Sequence, residues 1–397
     1  MQHEKKRGFM GKIDNNYNEK IVLPCHFGLE AVLKREAVSN GFEVDSVSDG
    51  RVALCGGAAE AARANVLMRT AERVMIECAN FEARTFDELF EKTKAIPWEN
   101  YIPKDGKFWV AKASSVSSAL FSPRDIQSII KKAMVKRLEG VYGISVFPED
   151  GESYPFRVSI NKDIVSICLD TSGDSLHKRG YRVSPVLAPI SETLAAGLVL
   201  LTPWKRGRIL CDPCCGSGTI PIEAAMIARN IAPGLKRSFQ MEKWDNLNGA
   251  KLVSIAKEEA ESMILPSAES DIQGFDIDAS AAKFSRDNAK AAGVESDIHF
   301  QARSIADFSH PGKYGFVISN PPYGERLSDD DEIKLVYENF GRIVRDYDTW
   351  SVYMITSYSD AEKIVGKKAD KNRKIYNGMI ESRFYQYMGK KPPKRKD

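Results

Sequence analysis

The sequence predicts an α/β protein: a C-terminal doubly wound sheet, mostly parallel with antiparallel last strands, preceded by an α+β region of two small units. Three observations carry this reading. From about residue 190 onward, short apolar runs alternate with helical patterns, as at 272–276 and 279–292. The chain then closes on "RKIYNGMIESRFYQY" (373–387), two runs around Asn377-Gly378, a dipeptide that two-residue hairpin turns favour. Before 190 the runs instead follow strand, helix, strand, strand, helix, strand, which is the ferredoxin-like order.

Residues 1–19 are polar and charged, and are expected to form a disordered lead-in. The first unit spans 20–80. It has a strand at 21–23, a helix at 29–40 with Leu29, Val32, Leu33 and Ala37 on one face, and strands at 42–47 and 51–55 around Ser48-Asp49-Gly50. A helix at 58–67 and a strand at 73–79 complete it. The second unit spans 81–175, with a helix at 86–94 closed by Pro97 and a strand at 108–113. In "SPRDIQSIIKKAMVKRL", Ser122 caps, Pro123 opens the first turn, and Ile126, Ile129, Ile130, Ala133 and Leu138 share a face. Lys131, Lys132, Lys136 and Arg137 lie on its other flank, either as a solvated face or as a contact for a polyanion. Runs at 156–161 and 164–170 read as a closing hairpin.

The third region, 176–397, carries strands at 208–212, 272–276, 298–301, 316–319 and 350–356, and helices at 220–230 and 279–292. The gap between the first two strands is long, so 231–270 is expected to be an insertion.

Hydrophobic and charged contents of 43% and 28% are those of a soluble globular protein. The net charge of +3 is uneven: residues 363–397 hold twelve Lys/Arg against three Asp/Glu, a local +9 that leaves about −6 elsewhere. Such a basic end is a solubilising tail, the reading favoured for 390–396, or a polyanion contact, which stays open for 367–374. Seven cysteines without an even framework indicate reduced thiols and a cytoplasmic protein. Cys211 and Cys214 form a lone C-x-x-C with no histidine cluster, so no metal is expected. No apolar run approaches a membrane span.

"DPCCGSGT" (212–219) lies between a strand and a helix, at the edge where open α/β sheets bind ligands. Gly216 and Gly218 let the backbone approach a ligand closely. A P-loop fails because Thr219-Ile220 supplies no lysine. A dinucleotide fingerprint fails because Pro221 takes the place of its third glycine, and because pyrophosphate beside Asp212 would meet like charge. S-adenosylmethionine (SAM) avoids both objections, since its ammonium and sulfonium favour an adjacent carboxylate. "GFDID" places Asp276 at the end of the next strand, where an acid holds ribose hydroxyls, with Asp278 two residues on. Asp212, Pro213, Cys214, Gly216, Ser217, Gly218, Thr219, Asp276 and Asp278 are therefore the candidate cofactor residues. All lie in the third region, so a fragment of residues 180–397 is expected to bind SAM by itself.

"VISNPPYGER" (317–326) ends a buried strand on an asparagine, two prolines and a tyrosine. Methyl transfer to an exocyclic base amine needs such a corner, because the nitrogen lone pair is delocalised into the ring. Two acceptors on its N–H groups, the Asn320 side-chain oxygen and the Pro321 carbonyl, can turn that lone pair toward a methyl donor. Pro322 adds stiffness, and Tyr323 offers a face on which an extruded base can stack.

"DPCCGSGT" with "NPPYGER" resembles the class I SAM-dependent amino-methyltransferases. "LHKRGYRVSPVLAPISETLAAGLVLLTPW" (176–204) and "IEAAMIARNIAPG" (222–234) are similar to the THUMP-domain RNA guanine-N2 methyltransferases, closest to the branch acting on large-subunit ribosomal RNA. The resemblance covers about 20–390 and implies a ferredoxin-like domain (20–80), a THUMP domain for RNA docking (81–175) and a class I methyltransferase domain (176–397). It also implies a monomeric or weakly associating enzyme. Relatives carry an acid after the third strand near the SAM adenine; here Ser304 aligns, with Asp307 one turn on. Alternatives are a transfer-RNA substrate, a DNA adenine-N6 or cytosine-N4 methyltransferase, and a non-catalytic RNA-binding protein that retains the SAM fold.

Overall fold

The computed structural model describes residues 20–183, 190–323, 330–378 and 380–393. The expected lead-in at 1–19, the end of the basic tail, and the Gly324, Glu325 and Arg326 of the corner motif lie outside them.

Two seven-stranded sheets organise the described residues. The first contains β1 (Lys20–Pro24), β2 (Val44–Ser48), β3 (Arg51–Cys55), β4 (Met75–Glu82), β5 (Lys107–Val116), β6 (Ser153–Asn161) and β7 (Ile164–Asp170), in the order β2-β3-β1-β4-β7-β6-β5. Read from sequence as two units, this region shares one sheet, because β4 pairs antiparallel with β7 from Met75↔Asp170 to Glu82↔Ile164. Its helices are α1 (Glu30–Ser39), α2 (Ala58–Leu67), α3 (Phe86–Lys94) and α4 (Pro123–Tyr142). In α4, Ser122 accepts from the Asp125 N–H, Gly143 ends the helix at φ 65°, and Ile126, Ile130, Ala133, Met134 and Leu138 are buried. Ile129 is only partly covered.

The second sheet contains β8 (Leu210–Asp212), β9 (Ile272–Asp276), β10 (Ile298–Ala302), β11 (Phe316–Ser319), β12 (Ser351–Thr356), β13 (Lys371–Asn377) and β14 (Ile380–Tyr387). Its order is β10-β9-β8-β11-β12-β14-β13, parallel through β12 and antiparallel in the terminal hairpin, as the sequence predicts. The chain order reverses direction at β8, with β9 on one side and β11 on the other. That switch point is where such sheets open a crevice. The accompanying helices are α5 (Glu192–Leu201), α6 (Thr219–Ala228), α7 (Gly249–Ser262), α8 (Ala279–Ala292), α9 (Asp330–Asp346) and the short α10 (Ala361–Val365).

The insertion expected at 231–270 joins the two halves. Its Phe239, Met241, Trp244, Val253, Ala256 and Ala260 belong to the same buried cluster as Leu67, Val74 and Phe156 of the first sheet region. Trp244 stacks on Tyr154 at 5.2 Å and donates its indole N–H to the Ser153 carbonyl at 3.0 Å. On the other side Leu29 and Val32 of the N-terminal region join the core formed by Leu194 and Leu198 of α5. Gly197 permits this approach, since a Cβ there would lie 2.5 Å from Leu29 Cδ1.

Candidate active site

The turn after β8 is held by its own acids. Asp212 is 2% exposed, and its Oδ1 accepts from the Cys214 N–H at 3.1 Å and the Ser319 hydroxyl at 2.6 Å. Burial pushes its carboxyl up to about 7. Asp276, at the end of β9, accepts from the Gly216 N–H at 2.9 Å and the Asp278 N–H at 3.1 Å, and burial raises its pKa too. Asp278 caps α8 by accepting from the Ser280 N–H at 2.8 Å. The two glycines differ in role. Gly216 (φ 52°) faces open space, whereas at Gly218 (φ 78°) a Cβ would lie 2.9 Å from the Phe300 ring, so this glycine serves helix-to-sheet packing.

A cavity of about 710 Å³ opens at this edge, within the range of small-molecule sites. Asp212, Pro213, Cys214, Gly216, Ser217, Thr219, Asp276, Asp278 and Ser304 line it, and so do Asn320 and Pro322 from across the switch point. Gly218, Asp307, Pro321 and Tyr323 are not on its wall. Asp307 falls away because Ser304 caps a tight 3₁₀ turn, accepting from the Ala306 N–H at 3.2 Å and turning Ile305 and Ala306 to the cavity.

At the corner, Asn320 Oδ1 is buried and has no hydrogen-bond partner among the described residues. An unpaired buried carbonyl oxygen costs on the order of 1–3 kcal/mol. Tyr323 differs from the free stacking face expected of it: it is 7% exposed, and its hydroxyl accepts from Asn377 Nδ2 at 3.1 Å. Tyr337, from α9, donates its hydroxyl to the Pro322 carbonyl at 3.3 Å and fixes the corner from behind.

Some site residues escaped the sequence reading. Arg182 donates to Ser217 Oγ at 2.9 Å, Thr219 Oγ1 at 3.2 Å and the Ile190 carbonyl at 3.2 Å, while Glu192 pairs with its guanidinium at 2.9 Å. No local motif signals this, since the contacts join segments 35 and 37 residues apart. Apolar walls come from Ile190, Ile277, Leu335 and Val336, and exposure of 80% at Ile277 and 58% at Leu335 marks the rim.

The α4 cations lie on the far sheet and are largely engaged. Lys131 pairs with Glu149 at 3.1 Å and sits 3.8 Å over the Phe108 ring. Lys136 pairs with Glu139 at 3.1 Å, and Arg137 Nε with Glu99 at 3.0 Å. Lys132 lies 6.0 Å over Phe90. Among the described residues no His/Cys/Asp/Glu cluster could hold a metal, and no helix is long and apolar enough to cross a membrane. Cys211 and Cys214 are free thiols whose pKa burial drives up.

Comparison with known proteins agrees with this geometry. Residues 179–386, more than half of the 397, match the RMKL-like methyltransferase domain. The chain belongs to that family. Ahead of this methyltransferase domain, 20–75 match the RlmL ferredoxin-like domain and 83–170 the THUMP domain. YpsC of Bacillus subtilis strain 168, named as a candidate RNA methyltransferase, is 43% identical over 95% of this chain and 97% of its own. Ribosomal RNA large subunit methyltransferase K/L of Cellvibrio japonicus is 32% identical over 91% of this chain. The chain spans about half (50%) of that longer relative. SMU.472, a candidate methyltransferase solved with S-adenosylhomocysteine (SAH), is 40% identical with a TM-score of 0.87, covering 95% of this chain and 100% of its own. A Listeria monocytogenes protein described as a predicted N6-adenine-specific DNA methylase is 44% identical with a TM-score of 0.86, over 94% of this chain and 96% of its own.

The methyltransferase is SAM-dependent, and its cavity fits that cofactor. Asp212 and Asp276 are acids whose ionisation burial opposes, so a ligand that brings a positive group to Asp212 and hydroxyl donors to Asp276 relieves both. The apolar walls suit a purine ring.

Proposed function

We propose that this methyltransferase modifies the exocyclic N2 of a guanosine in large-subunit ribosomal RNA. Asn320 carries the reading: its Oδ1 is a buried acceptor with no partner among the described residues, on a residue that lines the same cavity as the SAM loop. The RNA assignment rests on the THUMP match and on the names of YpsC and the K/L enzymes. The guanine-N2 assignment rests on the resemblance of the corner and its flanking motifs to that class of enzyme.

SAM supplies an electrophilic methyl group on sulfur. The chain's own residues do the rest. Asp276 and Asp278 receive the ribose end, and Asp212, Ser217 and Thr219 the amino-acid end. Ile305 and Ala306, after Ser304, line the purine pocket. Asn320 Oδ1 and the Pro321 carbonyl accept the two N–H groups of the target amine and aim its lone pair. With SAM held in this cavity, its sulfonium would supply the methyl carbon to the aimed nitrogen, and Asn320 Oδ1 and the Pro321 carbonyl would hold the N–H groups from which the surplus proton departs. Positioning carries the rate, with no strong base required. Tyr323 stacks on the extruded guanine once Asn377 releases its hydroxyl.

Asn320→Ala should lower single-turnover methyl transfer by about 10²–10³-fold while SAM affinity stays unchanged. A wild-type rate in that variant would sink amino-methylation at this corner. Mass spectrometry of the methylated nucleoside separates N2-methylguanosine from the N6-methyladenosine that a DNA-type specificity would give. The same analysis of ribosomal and transfer RNA from a deletion strain identifies the substrate.

A further inference from the structure

We propose that the β13–β14 hairpin, with Phe27 beside it, is the track on which the RNA strand flanking the target base lies. The inference rests on the RNA-methyltransferase reading and adds the surface that reading leaves unassigned. The hairpin is placed for this. β14 runs antiparallel to β12, with Arg383 opposite Thr356 at the strand end, so the pair Asn377 and Ile380 lies beyond that end, past the edge where the cofactor cavity opens. Asn377 itself bonds the Tyr323 hydroxyl at 3.1 Å, so the tip touches the proposed catalytic corner. From Lys371 to Asn377 the strand offers a track of about 20 Å.

Its charge is unusual for a ladder. Lys374 and Arg383 stand directly opposite in register, an arrangement that destabilises a sheet. Glu381 lies 2.7 Å from Lys374 Nζ, one carboxylate against two cations. Lysines on an edge strand also deter edge-to-edge aggregation. That role calls for charge anywhere along the edge, but not for an aromatic platform, and here one is present. Phe27 is 53% exposed and lies edge-on to Tyr376 at 6.1 Å, with Lys374 Nζ 5.2 Å from the Tyr376 ring. Exposed aromatics interleaved with cations are what a single strand of RNA binds, through base stacking and phosphate contacts.

Phe27 is also held in place from both neighbours. His26 Nδ1 lies 3.0 Å from the Tyr376 carbonyl, and Arg373 donates to the Gly28 carbonyl at 2.9 Å. Gly28 (φ +93°) accepts no side chain, since a Cβ would lie 2.6 Å from the Lys374 carbonyl. The N-terminal region and the hairpin therefore present one continuous surface, whereas three of the four α4 cations already face carboxylates.

The test is equilibrium binding of the full chain to an unmodified transcript of large-subunit ribosomal RNA at several salt concentrations. Joint Lys374→Gln and Arg383→Gln should flatten the slope of log K on log salt by about 1.4, from about 0.7 per phosphate contact on a single strand. Phe27→Ala should weaken binding about 5- to 150-fold, and Phe27→Tyr should restore most of it. SAM affinity should match wild type in all three variants, and the melting temperature of the hairpin variant should be no lower than wild type. Unchanged RNA affinity and slope in the hairpin variant, or the same losses from Lys131→Gln with Lys132→Gln and Lys136→Gln, would overturn the proposal. Methyl incorporation by the wild-type chain judges the functional reading separately, so either can fail without the other.

Discussion

At the scale of single residues, Asp212 makes the cofactor site sensitive to pH. Its carboxyl ionises near 3.8 when exposed and is pushed up to about 7 by burial in the fold. Between those values the folded chain holds a proton that the unfolded chain has released. This group's contribution to stability therefore falls as pH rises through the window, and is lowest above about 7. Cofactor binding runs the other way, because a cationic ligand favours the ionised acid and expels its proton. SAM affinity should thus rise by up to about tenfold per pH unit between 5.5 and 7, then level off. Titration calorimetry in buffers of different ionisation enthalpy should show proton release at pH 6. Asp212→Asn should bind more weakly and lose the pH dependence; a wild-type affinity flat from 5.5 to 7 would remove Asp212 from the ammonium contact. Tyr323 carries a second test at this scale. Since Asn377 donates to its hydroxyl, Tyr323→Phe keeps the stacking face but removes that bond to the hairpin.

At the scale of elements, the cofactor loop is shaped from outside the cavity as much as by its glycines. Arg182 binds the hydroxyls of Ser217 and Thr219 and is fixed by Glu192. Arg182→Met should raise the KM for SAM about tenfold and leave kcat at saturation near wild type, a split that steady-state kinetics reads directly. Arg182→Lys should not rescue it, since an ammonium cannot span three acceptors with a rigid fork. A lower kcat at unchanged KM would instead indicate a smaller folded fraction. The strand and helix that carry Asp276 and Asp278 were legible in sequence, because Ile272–Asp276 and Ala279–Ala292 each show one clear period and clear ends. α9 shows its period too, through Ile333, Tyr337, Phe340 and Ile343, yet it lies beyond the proline corner where the reading moved straight to β12. α7 was not legible. Its buried face is Val253, Ala256 and Ala260, small residues that match a neighbouring unit and give only a faint stripe along the segment. At the site, the acids and the corner could be found because each sits at a strand end. The partner of Tyr323 and the anchor of the loop could not, since both come from segments far away in the chain.

At the scale of the whole molecule, the two halves share structure that a division by motif conceals. Every candidate cofactor residue lies after 180, which is why a 180–397 fragment was expected to bind SAM by itself. That fragment would nevertheless expose Phe239, Met241, Trp244 and Val253, which in the full chain are buried against the first sheet region. It would also uncover the face of α5 that Leu29 and Val32 cover. Each large apolar side chain left in water forfeits roughly 1.5–3 kcal/mol, and domains of this kind have only about 5–15 kcal/mol to lose. The fragment should therefore lack a cooperative melt and bind SAM poorly, through loss of the fold and not of any contact. In the intact chain Trp244→Ala should lower stability by about 3–5 kcal/mol in denaturant titration, with SAM affinity unchanged under native conditions. A fragment that melts cooperatively within a few degrees of the full chain would show that the insertion folds on its own sheet, and that the N-terminal region is carried for RNA alone.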